Sequence, residues 1–244
     1  MNEQRDLEGL SALVTGATSG IGRAAAEALA RHGAEVIVHG RDAGRGGAVV
    51  DAITAEGGKA RFAIADLSDP AQLNDLAEQA GLVDILVNNA GFSRFGPTAD
   101  MDVATFDRML AANVRAPYYL VAALASKMAA RGSGSIINLG SMVGQIGLAG
   151  SAAYSATKAA MAAMTRSWAA EFSPAGVRVN AIAPGPVLTG GAAPERIEAL
   201  GATTIMGRPA QAGEIAEVIA FLASPRASYV TGAVIAADGG RTAI

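Results

Sequence analysis

No cysteine occurs among the 244 residues, which excludes disulfides, thiolate metal ligands and a cysteine nucleophile. Two histidines, His32 and His39, are too few for a structural zinc site in a chain without thiols, so no metal is expected. Aromatic side chains make up 5% of a chain that is 51% apolar, so alanine and the branched aliphatics must fill the core. There is no long basic run and the formal net charge is −3, against a nucleic-acid or anionic-membrane surface. Apolar runs are broken by charge or glycine well short of the roughly 18 residues a membrane span needs. The opening MNEQRDLEGL is polar and acidic, unlike a signal peptide, and a cytoplasmic protein is expected.

What the chain does have is a repeated alternation. Short aliphatic runs at 11–15, 35–39, 60–65, 83–88, 135–139, 177–182 and 233–236 are each strand-like. Helical patterns at 21–32, 43–56, 70–80, 102–130, 151–172 and 212–223 lie between them. Strands apolar on both faces alternating with helices predict an α/β fold, a parallel sheet covered by helices on both sides, with right-handed crossovers. No linker or repeat divides residues 1–244, which read as one domain. Segment 186–207, PVLTGGAAPERIEALGATTIMG, has paired glycines and only a brief helical pattern. It reads as a mobile substrate lid, an ordinary long surface loop being the alternative.

TGATSGIG, from Thr15 to Gly22, follows the first strand and opens the first helix. Gly16 permits a tight turn, and Gly20 and Gly22 leave room for a pyrophosphate near the helix N-terminus. A ligand-free glycine turn is the plainer reading. NNAG at 88–91 ends the fourth strand and would border the same crevice, with Asn88 tying strands together through its amide. Asp66 closes the third strand and is free for an adenine amino group, because Ser68 or Asp69 before Pro70 suits the next helix cap better. After the second strand, Gly40 stands where an NAD enzyme carries an acid. Arg41 beside it can pair with a 2′-phosphate, and Asp42 is better placed as a helix cap. NADP(H) is therefore favoured over NAD(H), with Arg45 adding positive charge.

In YSATK, Tyr154 and Lys158 lie one helical turn apart on one face. A cation about 4 Å from a phenol contributes roughly 4 kcal/mol at an effective dielectric near 20, enough to bring its pKa of ~10 toward neutrality. A tuned acid/base for carbonyl reduction is one reading, and an amphipathic pair snorkelling from a helix is the other.

Together these stretches, with DILVNNAG, INLGS, NAIAPGPVLT and YVTGAVIAADGG, resemble the short-chain dehydrogenase/reductase family over essentially the whole chain. The resemblance is to its single-domain, 3-oxoacyl reductase-like branch. It implies a doubly wound, Rossmann-type sheet of seven strands in the order 3-2-1-4-5-6-7, a nicotinamide cofactor and a homotetramer. It assigns the catalytic positions to Asn113, Ser141, Tyr154 and Lys158. Ser141 would steady the developing alkoxide, Asn113 would hold a water linking Lys158 to solvent, and Lys158 would also orient the nicotinamide ribose. Cofactor contacts would come from Gly16, Thr18, Ser19, Gly20, Ile21 and Gly22, from Arg41, Asp66 and Leu67, and from Asn89, Ala90 and Gly91. Tyr154, Lys158, Pro184, Gly185, Val187 and Thr189 would complete them.

The four-residue gap between Tyr154 and Lys158 differs from the longer gap of related enoyl reductases. Segment 70–81 is shorter than usual in the family, and Ser11 stands where lysine is common. Phe92, Phe95, Met142, Val143, Ile146, Leu148 and Val187 are expected to face substrate, with Arg94 and Gln145 as polar candidates. The expected partner is a small carbonyl or secondary alcohol, a 3-oxoacyl thioester included. A non-catalytic nucleotide sensor and an alanine-rich scaffold subunit are the competing readings.

Overall fold

The computed structural model describes residues 5–191 and 193–244. Met1 to Gln4 of the expected domain, and Ala192 within the expected lid, lie outside the described residues. Seven parallel strands form the main sheet: β1 (Ser11–Val14), β2 (Glu35–Gly40), β3 (Lys59–Ile64), β4 (Ile85–Asn88), β5 (Gly134–Leu139), β6 (Val177–Pro184) and β9 (Val234–Ala237). Their order is β3-β2-β1-β4-β5-β6-β9, the order expected for the seven main strands, with the reversal between β1 and β4. A two-stranded parallel pair, β7 (Val187–Leu188) with β8 (Ala210–Gln211), lies outside that sheet.

Alternation along the strands explains the layers. Ala12 and Val14 of β1 join a core with α1 (Gly20–Arg31), α2 (Ala43–Ala55) and α8 (Ala212–Ala223). Leu13 between them joins the opposite core, with α3 (Pro70–Ala80), α5 (Ala116–Ala130) and α6 (Ala152–Phe172). Ile85 and Val87 of β4 repeat the first choice and Leu86 the second. Each fully buried Leu or Ile contributes roughly 1.5–3 kcal/mol, so this two-sided burial fixes the strand faces.

Helix starts follow local chemistry. Asp42, Asp69 and Asp102 accept backbone N–H bonds at the starts of α2, α3 and α4 (Val103–Leu110), each cap being worth about 1 kcal/mol. Pro70 enters α3 where its missing N–H costs nothing. The short segment before the fourth strand still makes an 11-residue helix, ended by Gly81 at φ +69°.

The expected single helix over 102–130 is interrupted. α4 passes into α5 through a π-helical turn at Ala111–Arg115. Pro117 has no N–H to return to the carbonyl of Asn113, so the regular ladder cannot continue there. Segment 186–207 is likewise more regular than the sequence suggested: it carries β7 and the helix α7 (Pro194–Gly201).

Candidate active site

The loop after β1 is held from two sides. Thr15 Oγ1 donates to the Val87 carbonyl at 3.2 Å and accepts from the N–H groups of Asn89 and Ala90, both at 3.0 Å. Asn89 Nδ2 donates to the carbonyls of Thr15 and Gly16 at 2.9 and 3.1 Å. The Asn89 Nδ2 group is therefore spent on shaping the loop with Thr15 as its partner, while Asn89, expected as a cofactor contact, still lines the cleft. On the far side His39 Nδ1 accepts from Gly16 N–H at 3.2 Å, which leaves Nε2–H to donate to the Ala65 carbonyl at 3.1 Å. His39 is 2% exposed, and burial holds its pKa down to about 4. It is a neutral clasp between the glycine loop and the end of β3.

Two glycines carry the geometry of the loop. Gly16 turns at φ +64°, which favours glycine. At Gly22 a Cβ would fall 2.3 Å from both Asn89 Nδ2 and the Gly16 carbonyl oxygen. With Thr18, Ser19, Gly20 and Ile21 between them, they lay bare backbone at the N-terminus of α1. Thr189 lies beyond Gly20, whose added Cβ would come 3.1 Å from the Thr189 Cβ. The cradle and the helix start fit the pyrophosphate of a dinucleotide.

The adenosine end of such a ligand would meet the ends of β2 and β3. Asp66 Oδ1 accepts from Ser68 N–H and Oγ–H at 2.9 and 2.7 Å, which holds its carboxyl below the usual range. Asp69, not Asp66, caps α3, and Leu67 is buried. Arg41 is exposed at the end of β2, while Asp42 caps α2. The positive charge expected from Arg45 is turned away: its Nε pairs with Asp42 Oδ2 at 3.1 Å.

Ser141, Tyr154 and Lys158 converge on one cleft of about 560 Å³. Ile21, Asn89, Gly91, Pro184, Gly185, Val187 and Thr189 line it too, so both halves of the expected site meet there. Ser141 follows β5 and hydrogen-bonds the Tyr154 phenol. Lys158 is 7% exposed; its Nζ donates to the Leu139 carbonyl at 2.6 Å and lies 5.6 Å from the centre of the Tyr154 ring. Burial pulls Lys158 down to about 8 and pushes Tyr154 up to about 12, the Ser141 bond opposing only part of the rise. A phenol brought toward neutrality by its neighbour is therefore not what the structure has. Burial raises the phenol, and the Lys158 ammonium is aimed at a backbone carbonyl.

Asn113 stands one layer behind, within the π-helical turn. Its Oδ1 accepts from Phe92 N–H at 3.0 Å, and its Nδ2 donates to the Phe92 carbonyl at 2.9 Å and to Thr157 Oγ1 at 3.1 Å. The side chain pins the loop after β4 to α6 and has no N–H left for a water. What the turn leaves is the Asn113 main-chain carbonyl, deprived by Pro117 of its helical donor. Asn88 does tie strands: its Nδ2 donates to Asn138 Oδ1 at 2.9 Å.

Of the expected substrate-facing residues, Phe92, Arg94, Phe95, Met142, Val143, Leu148 and Val187 line the cleft; Gln145 and Ile146 do not. Arg196, Ile197 and Leu200 of α7 also line it. Nothing in the sequence marks them, because segment 186–207 shows so little periodicity.

Comparison with known proteins agrees with this geometry. A family model described as Enoyl-(Acyl carrier protein) reductase matches residues 16–242. A galactitol 2-dehydrogenase (L-tagatose-forming) of Cereibacter sphaeroides is 42% identical, the match covering 97% of this chain and 96% of the relative. A solved short chain dehydrogenase/reductase family protein is 50% identical with a TM-score of 0.91, covering 98% of this chain and 100% of that one. A Beutenbergia cavernae structure, provisionally described as an NAD(P) dependent gluconate 5-dehydrogenase with bound NADP at low occupancy, is 40% identical. Its TM-score is 0.94, over 99% of this chain and 100% of its own. The chain belongs to the short-chain dehydrogenase/reductase family and is an NAD(P)-dependent oxidoreductase of carbonyl/alcohol pairs.

Proposed function

We propose that this protein is a cytoplasmic, single-domain reductase that prefers NADPH and converts a small ketone to its secondary alcohol, with segment 186–207 as the cover of its cleft. The observation that carries the reading is the convergence of Ser141, Tyr154 and Lys158 on the cleft reached by Ile21 and Thr189. A bound reduced nicotinamide would supply the hydride. Ser141 Oγ–H is placed to donate to the substrate oxygen and steady its growing negative charge. Tyr154, protonated at neutral pH because burial pushes its pKa up to about 12, gives that oxygen its proton. Lys158, a cation below about 8, offsets the charge left on the phenol. The Asn113 carbonyl is the acceptor that could hold the water through which Lys158 regains a proton. Carbonyl rather than double-bond reduction is favoured by the four-residue spacing of Tyr154 and Lys158.

Arg41 supports the cofactor preference, being exposed beside Asp66 without a carboxylate bonded to it among the described residues. A swap to an acid at Gly40 is not a clean test, because a Cβ there would fall 2.4 Å from Thr18 Cγ2, within the phosphate loop. Arg41→Ala is cleaner. Steady-state kinetics should give wild type a kcat/KM at least about tenfold higher with NADPH than NADH, and the variant should lose most of that preference. A wild-type enzyme faster with NADH would overturn this part of the proposal.

A further inference from the structure

The substrate half of the cleft has a one-sided charge. Among its lining residues are Arg94, Arg196 and Lys158, and no aspartate or glutamate. The chain as a whole has 22 acids against 19 bases, so this is not a reflection of composition. Lys158 is already bonded to the Leu139 carbonyl. Arg94 and Arg196 are exposed, and among the described residues neither has an ion pair.

Arg196 is also held in place. Its guanidinium carbon lies 5.0 Å from the centre of the Phe95 ring, and that ring meets Tyr154 edge-on at 5.7 Å between centroids. A cation resting on an aromatic face has part of its orientation fixed before a ligand arrives, and a planar guanidinium receives a carboxylate through two parallel bonds. Two side-chain contacts thus connect the proton donor to a positioned anion receptor, and Phe92 and Phe95 line the cleft beside them. The relatives leave the matter open, since one is named for a neutral polyol and another for a sugar acid.

We propose that the substrate is a small oxo acid whose carboxylate is received by Arg196, with Arg94 as the second cation, while its ketone faces Tyr154 and Ser141. The proposal rests on the assignment of this cleft as the carbonyl site. It concerns a free carboxylate; a phosphate borne on a carrier would share the charge and is separated by the test.

The test uses the full chain with NADPH and two matched probes, 4-oxopentanoate and its methyl ester, in turnover and in calorimetric binding to the cofactor complex. The acid should have a kcat/KM about tenfold or more above the ester, expressed mainly in KM, and should bind correspondingly tighter. Arg196→Gln should collapse the acid/ester ratio to within about threefold, and Arg196→Lys should restore part of it. Equal handling of acid and ester by wild type would overturn the proposal. So would an Arg196→Gln variant that weakens NADPH binding while keeping the ratio, which would make Arg196 a clamp on the cofactor. So would inorganic phosphate displacing the acid at equal concentration, which would point to a phosphate receptor. If neither probe turns over, the carbonyl-site reading fails, and the binding arm still decides: selective, Arg196-dependent binding of the acid upholds the anion receptor, and its absence refutes it.

Discussion

Tyr154 and Lys158 show how far a pair of side chains can be judged from spacing. One helical turn does bring them together, but burial decides their proton affinities, moving the phenol up and the ammonium down. His39 is the clearer case of burial at work. Held at about 4 against an ordinary value of 6.5, it stays neutral in the folded chain and protonates more readily in the unfolded one. Its contribution to stability is therefore complete above about pH 6.5 and is lost as pH falls toward 4, on the order of 3 kcal/mol across that window. Urea unfolding of wild type and His39→Asn between pH 7 and 4 should show a steeper decline in wild type. Parallel curves would mean that His39 does not titrate on unfolding as its burial requires.

The loop between β1 and α1 is where the backbone leaves least room. Gly22→Ala would drive a methyl group into Asn89 Nδ2 and the Gly16 carbonyl, both at 2.3 Å. Neither the loop backbone nor an amide bonded to it can move away freely. The variant should lose about 1–3 kcal/mol of stability and at least about tenfold in cofactor affinity. Thermal unfolding together with a cofactor titration checks both, and unchanged affinity would show that the loop is not the phosphate cradle.

The glycines of this loop were legible because their spacing sits between a strand and a helix, and the seven main strands because they are aliphatic on both faces. Thr15 and His39 were not, since their roles come from partners far along the chain, at Val87 and Ala65. The π-helical turn escaped notice because the helical pattern over 102–130 runs through it, and only Pro117 marks the break. The side-chain work of Asn113 depends on Phe92 and Thr157, which no local pattern reveals.

The surface suggests a larger assembly. Along α6, Ala152, Ala156, Ala159, Ala163 and Ala170 are exposed, a ridge of small side chains on one face. Beside it Tyr118 and Tyr119 of α5 are 49% and 53% exposed, and Val103 of α4 is 75% exposed. Small residues allow close helix approach, and exposed aromatics gain most from being covered. We propose that two-fold packing of these helices builds a homotetramer. Light scattering at micromolar concentration should return four times the chain mass of 24.4 kDa, and a monomer would refute the proposal. Tyr118→Glu should shift the population toward smaller species.

In the proposed reaction Tyr154 gives its proton to a carbonyl reduced by hydride. Tyr154→Phe keeps the ring and its contact with Phe95 while removing only the hydroxyl. The decisive measurement is single-turnover oxidation of pre-bound NADPH by a ketone substrate, followed by nicotinamide fluorescence in wild type and variant. The predicted result is equal cofactor binding to within about threefold and a rate lowered by at least about a hundredfold in Tyr154→Phe. A variant that binds NADPH normally and keeps more than about a tenth of the wild-type rate would contradict it.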